Sequence, residues 1–197
     1  MTLGTMATDV ERRIDFDALR AYRLGRARAQ LEKNGYGSFL CFDLDNIRYI
    51  TGTALAEWTR GKWVRWCLLT PEGPPVLWEK SSAAAVKREL CPWIPPENIR
   101  TSIEWKHGAN PRAVTESQIA KVVGEIKQAL EERGLADQPV ATHDADLFLL
   151  EGLRGAGLTV ADGLQALSDA RLLEPAVDRN LHDPSALWRA GVCPPRA

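Results

Sequence analysis

Few residues in this chain stand where chemistry would need them. His143, Asp144 and Asp146 lie close enough together to suggest metal ligands. They span the end of an apolar strand-like run and the start of a helical pattern, where Asp144 or Asp146 serves naturally as an N-cap. The capping reading is preferred, and no metal ligand is assigned. His107 sits in a loop and His182 in a proline-rich terminal stretch. Cys41, Cys67, Cys91 and Cys193 show no CxxC spacing and no histidine pairing. Cys41 and Cys67 fall inside apolar runs, where a thiol behaves as a small hydrophobe and a poor nucleophile. There is no GxSxG elbow, no P-loop and no GxGxxG fingerprint. No catalytic residue and no cofactor is expected in this chain.

Composition narrows the classes further. The 197 residues carry a net charge of −1 and are 45% hydrophobic, which fits one soluble α/β-sized domain plus a tail. A near-neutral balance gives no electrostatic case for nucleic acid or for an anionic membrane. No apolar run approaches the roughly 18–20 residues of a spanning helix, and the first residues lack the apolar centre of a signal peptide. Thiols with no disulfide spacing point to the cytoplasm.

Elements that could position a site follow from periodicity. Leu19, Tyr22, Leu24, Ala27 and Leu31 recur at helical spacing, and Gly35 stops the helix. GSFLCFD reads as a buried strand. VRWCLLTPEGPPVLWEK reads as two strands around a turn, because its proline and glycine residues cannot continue a ladder. SSAAAVKREL predicts a short helix capped by Ser81 or Ser82, and ENIRTSIEW a strand. VTESQIAKVVGEIKQALEERG is the strongest helix: Ile119, Val122, Val123, Ile126 and Leu130 share a face, Thr115 and Gln118 have capping-box spacing, and Gly134 ends it. A strand (QPVATHD), a helix, a strand (LTVADG) and a last helix capped by Asp162 complete the pattern. Alternation of strands and helices predicts an α/β domain with a mixed sheet flanked by helices. The expected organisation is a leader over 1–14, the domain over 15–173 and an irregular proline-rich tail over 174–197.

One block is more specific. An arginine-rich helix, a glycine, a buried strand and then D-x-x-NIRYITG (Asp43 to Gly52) resemble the amino-terminal domain of the creatinase / aminopeptidase P / prolidase family. The LLTPEGPPVLW hairpin, the helix from Val114 to Arg133, the strand near Val140 and LSDARLL agree in order. The long loop after this block, with Trp58, Trp63 and Trp66, is most similar to the branch containing dimethylsulfoniopropionate lyases. The resemblance implies a three-layer, ribonuclease H-like fold. It also implies a homodimer, or association with a pita-bread catalytic domain that carries a dinuclear divalent metal site. The sequence ends before such a domain begins, so a truncated accessory and dimerisation domain is expected. Two alternatives stay open: a metal-dependent Xaa-Pro peptidase, creatinase-type hydrolase or related lyase by homology, and a stand-alone module binding a small acid or a protein.

In the family, loops of this domain reach over the active site of the neighbouring subunit. The resemblance therefore gives Trp58, Arg60, Trp63, Arg65 and Tyr49 a possible place in a substrate lid or an interface. Tryptophan and arginine are frequent interface anchors. Arg60 and Arg65 can hold a carboxylate, and Trp58 can face a cationic group. Packing accounts for others: alternation puts Trp66 on the buried face of Val64, and Tyr49 reads as a packed strand-end residue.

Overall fold

The computed structural model describes residues 15–54, 64–105 and 108–172. Helix α1 (Phe16–Asn34) opens under Asp15, whose side chain accepts from Ala18 N, and closes at Gly35 with φ 66°. That left-handed conformation is where glycine is least costly. Strand β1 (Ser38–Cys41) leads to helix α2 (Leu44–Thr51), and β2 (Trp66–Leu69) and β3 (Val76–Glu79) form the hairpin. Helix α3 (Ser81–Leu90), a 3-10 turn (Pro96–Asn98) and β4 (Ile99–Thr101) follow. Helix α4 (Arg112–Glu131), β5 (Val140–His143), α5 (Leu147–Gly155), β6 (Val160–Asp162) and α6 (Leu164–Arg171) complete the described chain.

The strands stand in the order β4-β3-β2-β1-β5-β6. Strand β2 is antiparallel to both β1 and β3; the β1–β5, β5–β6 and β3–β4 pairs are parallel. Five strands therefore point one way and β2 runs against them. Strands β1, β2 and β3 are buried along their whole length, as expected when helices cover both faces. Alternate residues feed two cores. Leu40, Trp66, Leu68 and Trp78 face α4 and α5, whose Ile119, Ile126, Leu149 and Leu153 pack there. Phe39, Cys41, Cys67 and Leu77 face the other layer, with Leu31, Ile47, Ile50 and Leu167. The result is a mixed α/β sheet between two helical layers.

Several local expectations need correction. Asn46 to Thr51 is helical, so Tyr49 lies on α2 and not at a strand end. Asp43 caps that helix through Asn46 N, and Gly52 ends it at φ 65°. Helix α4 starts at Arg112 behind Pro111, which leaves Thr115 buried inside the helix instead of capping it. Helix α3 has Lys80 at its N-cap and no side-chain cap from Ser81 or Ser82. Gly163 occupies the N-cap of α6, although Asp162 Oδ1 does accept from Leu164 N. The strand read from ENIRTSIEW is only three residues long.

Candidate functional site

The carboxyl ends of the five co-directional strands lie on one edge of the sheet, together with the start of β2. In open α/β sheets this edge is where ligands usually bind. Here it holds a cluster of buried charges. Arg65 stands just before β2, Glu79 ends β3 and Lys87 lies on α3; all three are nearly inaccessible to solvent. Arg65 Nε donates to Glu79 Oε2 at 2.9 Å, and Lys87 Nζ lies 3.9 Å from the same oxygen. Arg65 Nη2 donates to Thr53 Oγ1, and Lys87 Nζ donates to the Ala54 carbonyl at 2.9 Å. Thr53 is in turn tied to Thr51 by a 2.7 Å hydroxyl contact. Ser102 Oγ donates to the Val64 carbonyl at 2.7 Å. The chain on both sides of residues 55–63 is thereby fastened to one ionic cluster.

Electrostatics makes this cluster costly to build. Burial pushes the Glu79 carboxyl up, against the pull of Arg65 and Lys87. Burial, with repulsion from Arg65, pushes the Lys87 ammonium down from its usual 10.5. The Arg65 guanidinium is lowered by burial too, and Glu79 opposes that shift. An arginine stays charged in proteins, so Glu79 is its counter-ion, and Arg65 Nη1 has no hydrogen-bond partner. Two cations share one carboxylate.

Beside it lies an aromatic cluster. Trp66 stacks on Trp78 at a centroid distance of 5.9 Å and meets Trp105 edge-on at 5.2 Å, and Phe42 packs against both Trp66 and Trp105. Trp78 Nε1 donates to Glu125 and Trp105 Nε1 to Asp146, each at 2.6 Å. Asp146 also accepts from Leu149 N, which makes it the cap expected for α5. Its carboxylate is spent on structure. His143 Nε2 lies 3.7 Å from Asp144 Oδ2, and Asp144 has φ 63°. Among the described residues no group of three or more His, Cys, Asp or Glu side chains could hold a metal ion. A dinuclear site does not fit them.

The five residues named from sequence fare differently. Trp58, Arg60 and Trp63 lie outside the described residues. Arg65, read as able to reach for a carboxylate, is turned inward onto Glu79 of its own fold. Tyr49 is half-buried; its hydroxyl donates to the Ala170 carbonyl at 2.8 Å and the Arg23 guanidinium stands 5.5 Å above its ring. It fastens α2 to α6. Trp66 is wholly buried, as its alternation implied. Cys41 and Cys67 face each other across β1 and β2. Their contact, then burial, pushes the Cys41 thiol well up, away from a reactive thiolate. Glu79 and Lys87 were missed. The available signal was position: Glu79 closes the run VLWE, and Lys87 shares the buried side of α3 with Ala83 and Ala84.

No family model and no curated protein matches this sequence. Solved structures do. An Xaa-Pro aminopeptidase from Streptococcus pyogenes matches over 79% of this chain and 99% of its own, with 17% identity and a TM-score of 0.53. A dipeptidase from Pyrococcus horikoshii matches over 81% of this chain with 19% identity and a TM-score of 0.53. This chain spans only 38% of that protein's length. A creatinase amino-terminal superfamily domain of a Streptococcus thermophilus dipeptidase matches over 76% of this chain and 98% of its own, with 15% identity and a TM-score of 0.50. At such identities the likeness is one of fold: the chain has the fold of the creatinase-type amino-terminal domain of aminopeptidase P and Xaa-Pro dipeptidases.

Proposed function

We propose that this chain is a non-catalytic accessory domain that works beside a pita-bread catalytic domain of the Xaa-Pro peptidase or creatinase type, and that it presents residues 55–63 to that partner. One observation carries the reading. The fold holds the chain on both sides of this segment, which carries Trp58, Arg60, Lys62 and Trp63, by a buried ionic cluster, which makes a rigid base for a contact surface. Metal chemistry belongs to the partner in this reading, and the substrate is the partner's. The setting is the cytoplasm; no helix among the described residues is long and apolar enough to cross a membrane.

Two measurements test it. The purified chain, given Xaa-Pro dipeptides, creatine or dimethylsulfoniopropionate with added divalent metals, is expected to show no turnover above a heat-killed control. Turnover would overturn the reading. Trp58→Ala is expected to weaken binding to a pita-bread domain by about 2 kcal/mol or more, at a cost of about 1 kcal/mol or less in the chain's own stability. Unchanged binding with a large loss of stability would place that ring in the core.

A second reading, a module that binds a small acid, is favoured by the partnerless Nη1 of buried Arg65. A rise in melting temperature with small carboxylates, and none with their amides, would support it over the first.

A further inference from the structure

Two of the cysteines are placed as a pair. Cys41 ends β1, Cys67 lies in β2, and they stand directly opposite each other in the antiparallel ladder. Residues so opposed have Cα atoms about 4.5 or 5.5 Å apart, depending on whether they share ladder hydrogen bonds. A disulfide spans Cα separations of about 4.4–6.8 Å, so either case lies within its reach. Both side chains point into the same core, with Leu31, Ile47, Ile50 and Leu167, and their thiols are in hydrogen-bond contact. Both are free and fully buried. Their other ladder neighbours are His143 on β5 and Leu77 on β3, so neither faces any other cysteine in the sheet.

Burial decides when chemistry can reach them. Thiol–disulfide exchange needs a thiolate and an open approach to it. The finished fold denies both. Contact and burial hold the Cys41 thiol protonated, and residues of α1, α2 and α6 cover the pair. Earlier in folding the cover is incomplete. Strands β1 and β2 are both present once residue 69 is made, whereas α6 spans Leu164–Arg171. Helix α6 is part of the cover: Leu167 packs in this core, and Arg171 stands close enough to act on the Cys41 thiol.

We infer that Cys41 and Cys67 form a thiol–disulfide latch, which is set while the chain folds and locked when α6 docks. The oxidant is a small disulfide such as oxidised glutathione. The thiolate of one cysteine attacks it, forming a mixed disulfide and releasing one glutathione thiolate. The thiolate of the second cysteine attacks the protein sulfur of that mixed disulfide and expels the other glutathione. Two protein S–H bonds are lost and one S–S bond forms. The two electrons and the two protons leave on two glutathione thiols. The closed bond ties the base of residues 42–66, which carry α2 and the segment 55–63. The latch lies beyond the accessory reading and does not depend on it.

Refolding the full chain from urea in a glutathione redox buffer tests it. Free thiols are then alkylated and the chain is cut with trypsin without reductant. Peptides 34–48 and 66–80, which hold Cys41 and Cys67, are expected to be joined as the major cystine, lighter than their sum by two hydrogen atoms. The peptides that hold Cys91 and Cys193 are expected to be alkylated. The folded, reduced chain in the same buffer is expected to oxidise about tenfold more slowly or less, because the pair is reached only by opening of the helical layer. The folded, oxidised chain is expected to resist reduced glutathione until urea is added. The mapping uses the wild-type protein, so no variant has to fold for it to be decisive, and Cys67→Ala serves as the control that lacks the joined peptide. A refolded chain with Cys41 and Cys67 both alkylated overturns the inference. So does Cys91 or Cys193 in the major disulfide. Oxidation or reduction of the folded chain as fast as in urea overturns it too, since α6 would then be no lock. Neither turnover by the chain nor the effect of Trp58→Ala bears on these outcomes, so the latch and the accessory reading fail separately.

Discussion

Removing one charge from the Arg65–Glu79–Lys87 cluster is worse than removing all three. Glu79→Ala leaves two cations buried without a counter-ion and is expected to cost about 3–5 kcal/mol in urea unfolding. Changing Arg65, Glu79 and Lys87 together to apolar residues of similar size is expected to leave stability near the wild-type value. A loss below about 1 kcal/mol for Glu79→Ala would show that water already screens the pair. Lys87 also sets a pH dependence. Burial and Arg65 depress its folded pKa below the unfolded 10.5, so between those two values the unfolded chain binds more protons. Stability from this group therefore rises as pH climbs through that window and is lost as pH falls below it. Unfolding midpoints measured across the alkaline range should show this rise, and Lys87→Met should remove it. Arg65 was visible in the sequence, but its role was not. Its partner Glu79 is 14 positions away on the next strand, and a pairing of that kind has no periodic signature.

At the level of elements, Trp66 joins β2 to the aromatic cluster, and Trp66→Ala is expected to cost about 3–5 kcal/mol by leaving a cavity. Chemical denaturation measures it; a loss near 1 kcal/mol would mean that the cluster collapses around the gap. Gly152 of α5 packs directly against α4. A Cβ there would lie 3.1 Å from Val123 Cγ2 and 3.3 Å from Ile119 Cγ2, both on buried side chains with little room to yield. Gly152→Ala is expected to destabilise by about 1 kcal/mol, because crowding outweighs the gain in helix propensity. The strands and long helices were legible because each carries a continuous apolar run or a single apolar face. Helix α2 was not, because two isoleucines and a threonine in eight residues resemble a strand. Its Asp43 cap and the left-handed Gly52 were the helical signals, and burial of Ile47 and Ile50 against the sheet overrode propensity. The start of α4 was misplaced because Pro111 needs no capping box to begin a helix.

For the molecule as a whole, the alternation of strands and helices announced an α/β layer structure, but the strand order was not readable. The ladder between β1 and β5 joins Ser38 to Val140, and Thr142 Oγ1 donates to the Leu40 carbonyl across 102 positions. Helix α6 completes the outer layer against α1, with Arg26 donating to the Asp169 and Ala170 carbonyls. Deleting residues 174–197 is therefore expected to leave a cooperative unfolding transition, and its loss would show that the removed stretch belongs to the domain. The reversal of β2 has a kinetic consequence. Because β2 runs antiparallel between β1 and β3, residues 38–79 can register through one tight turn and one connection of about two dozen residues, while the β5–β6 half of the sheet must join β1 about a hundred residues later. During synthesis the β1–β4 half emerges first and has β1 at an open edge, its hydrogen-bonding groups unfilled until β5 leaves the ribosome. That interval is the chain's period of greatest exposure to aggregation, and in refolding from urea the closure of β1 on β5 is the step expected to be slow.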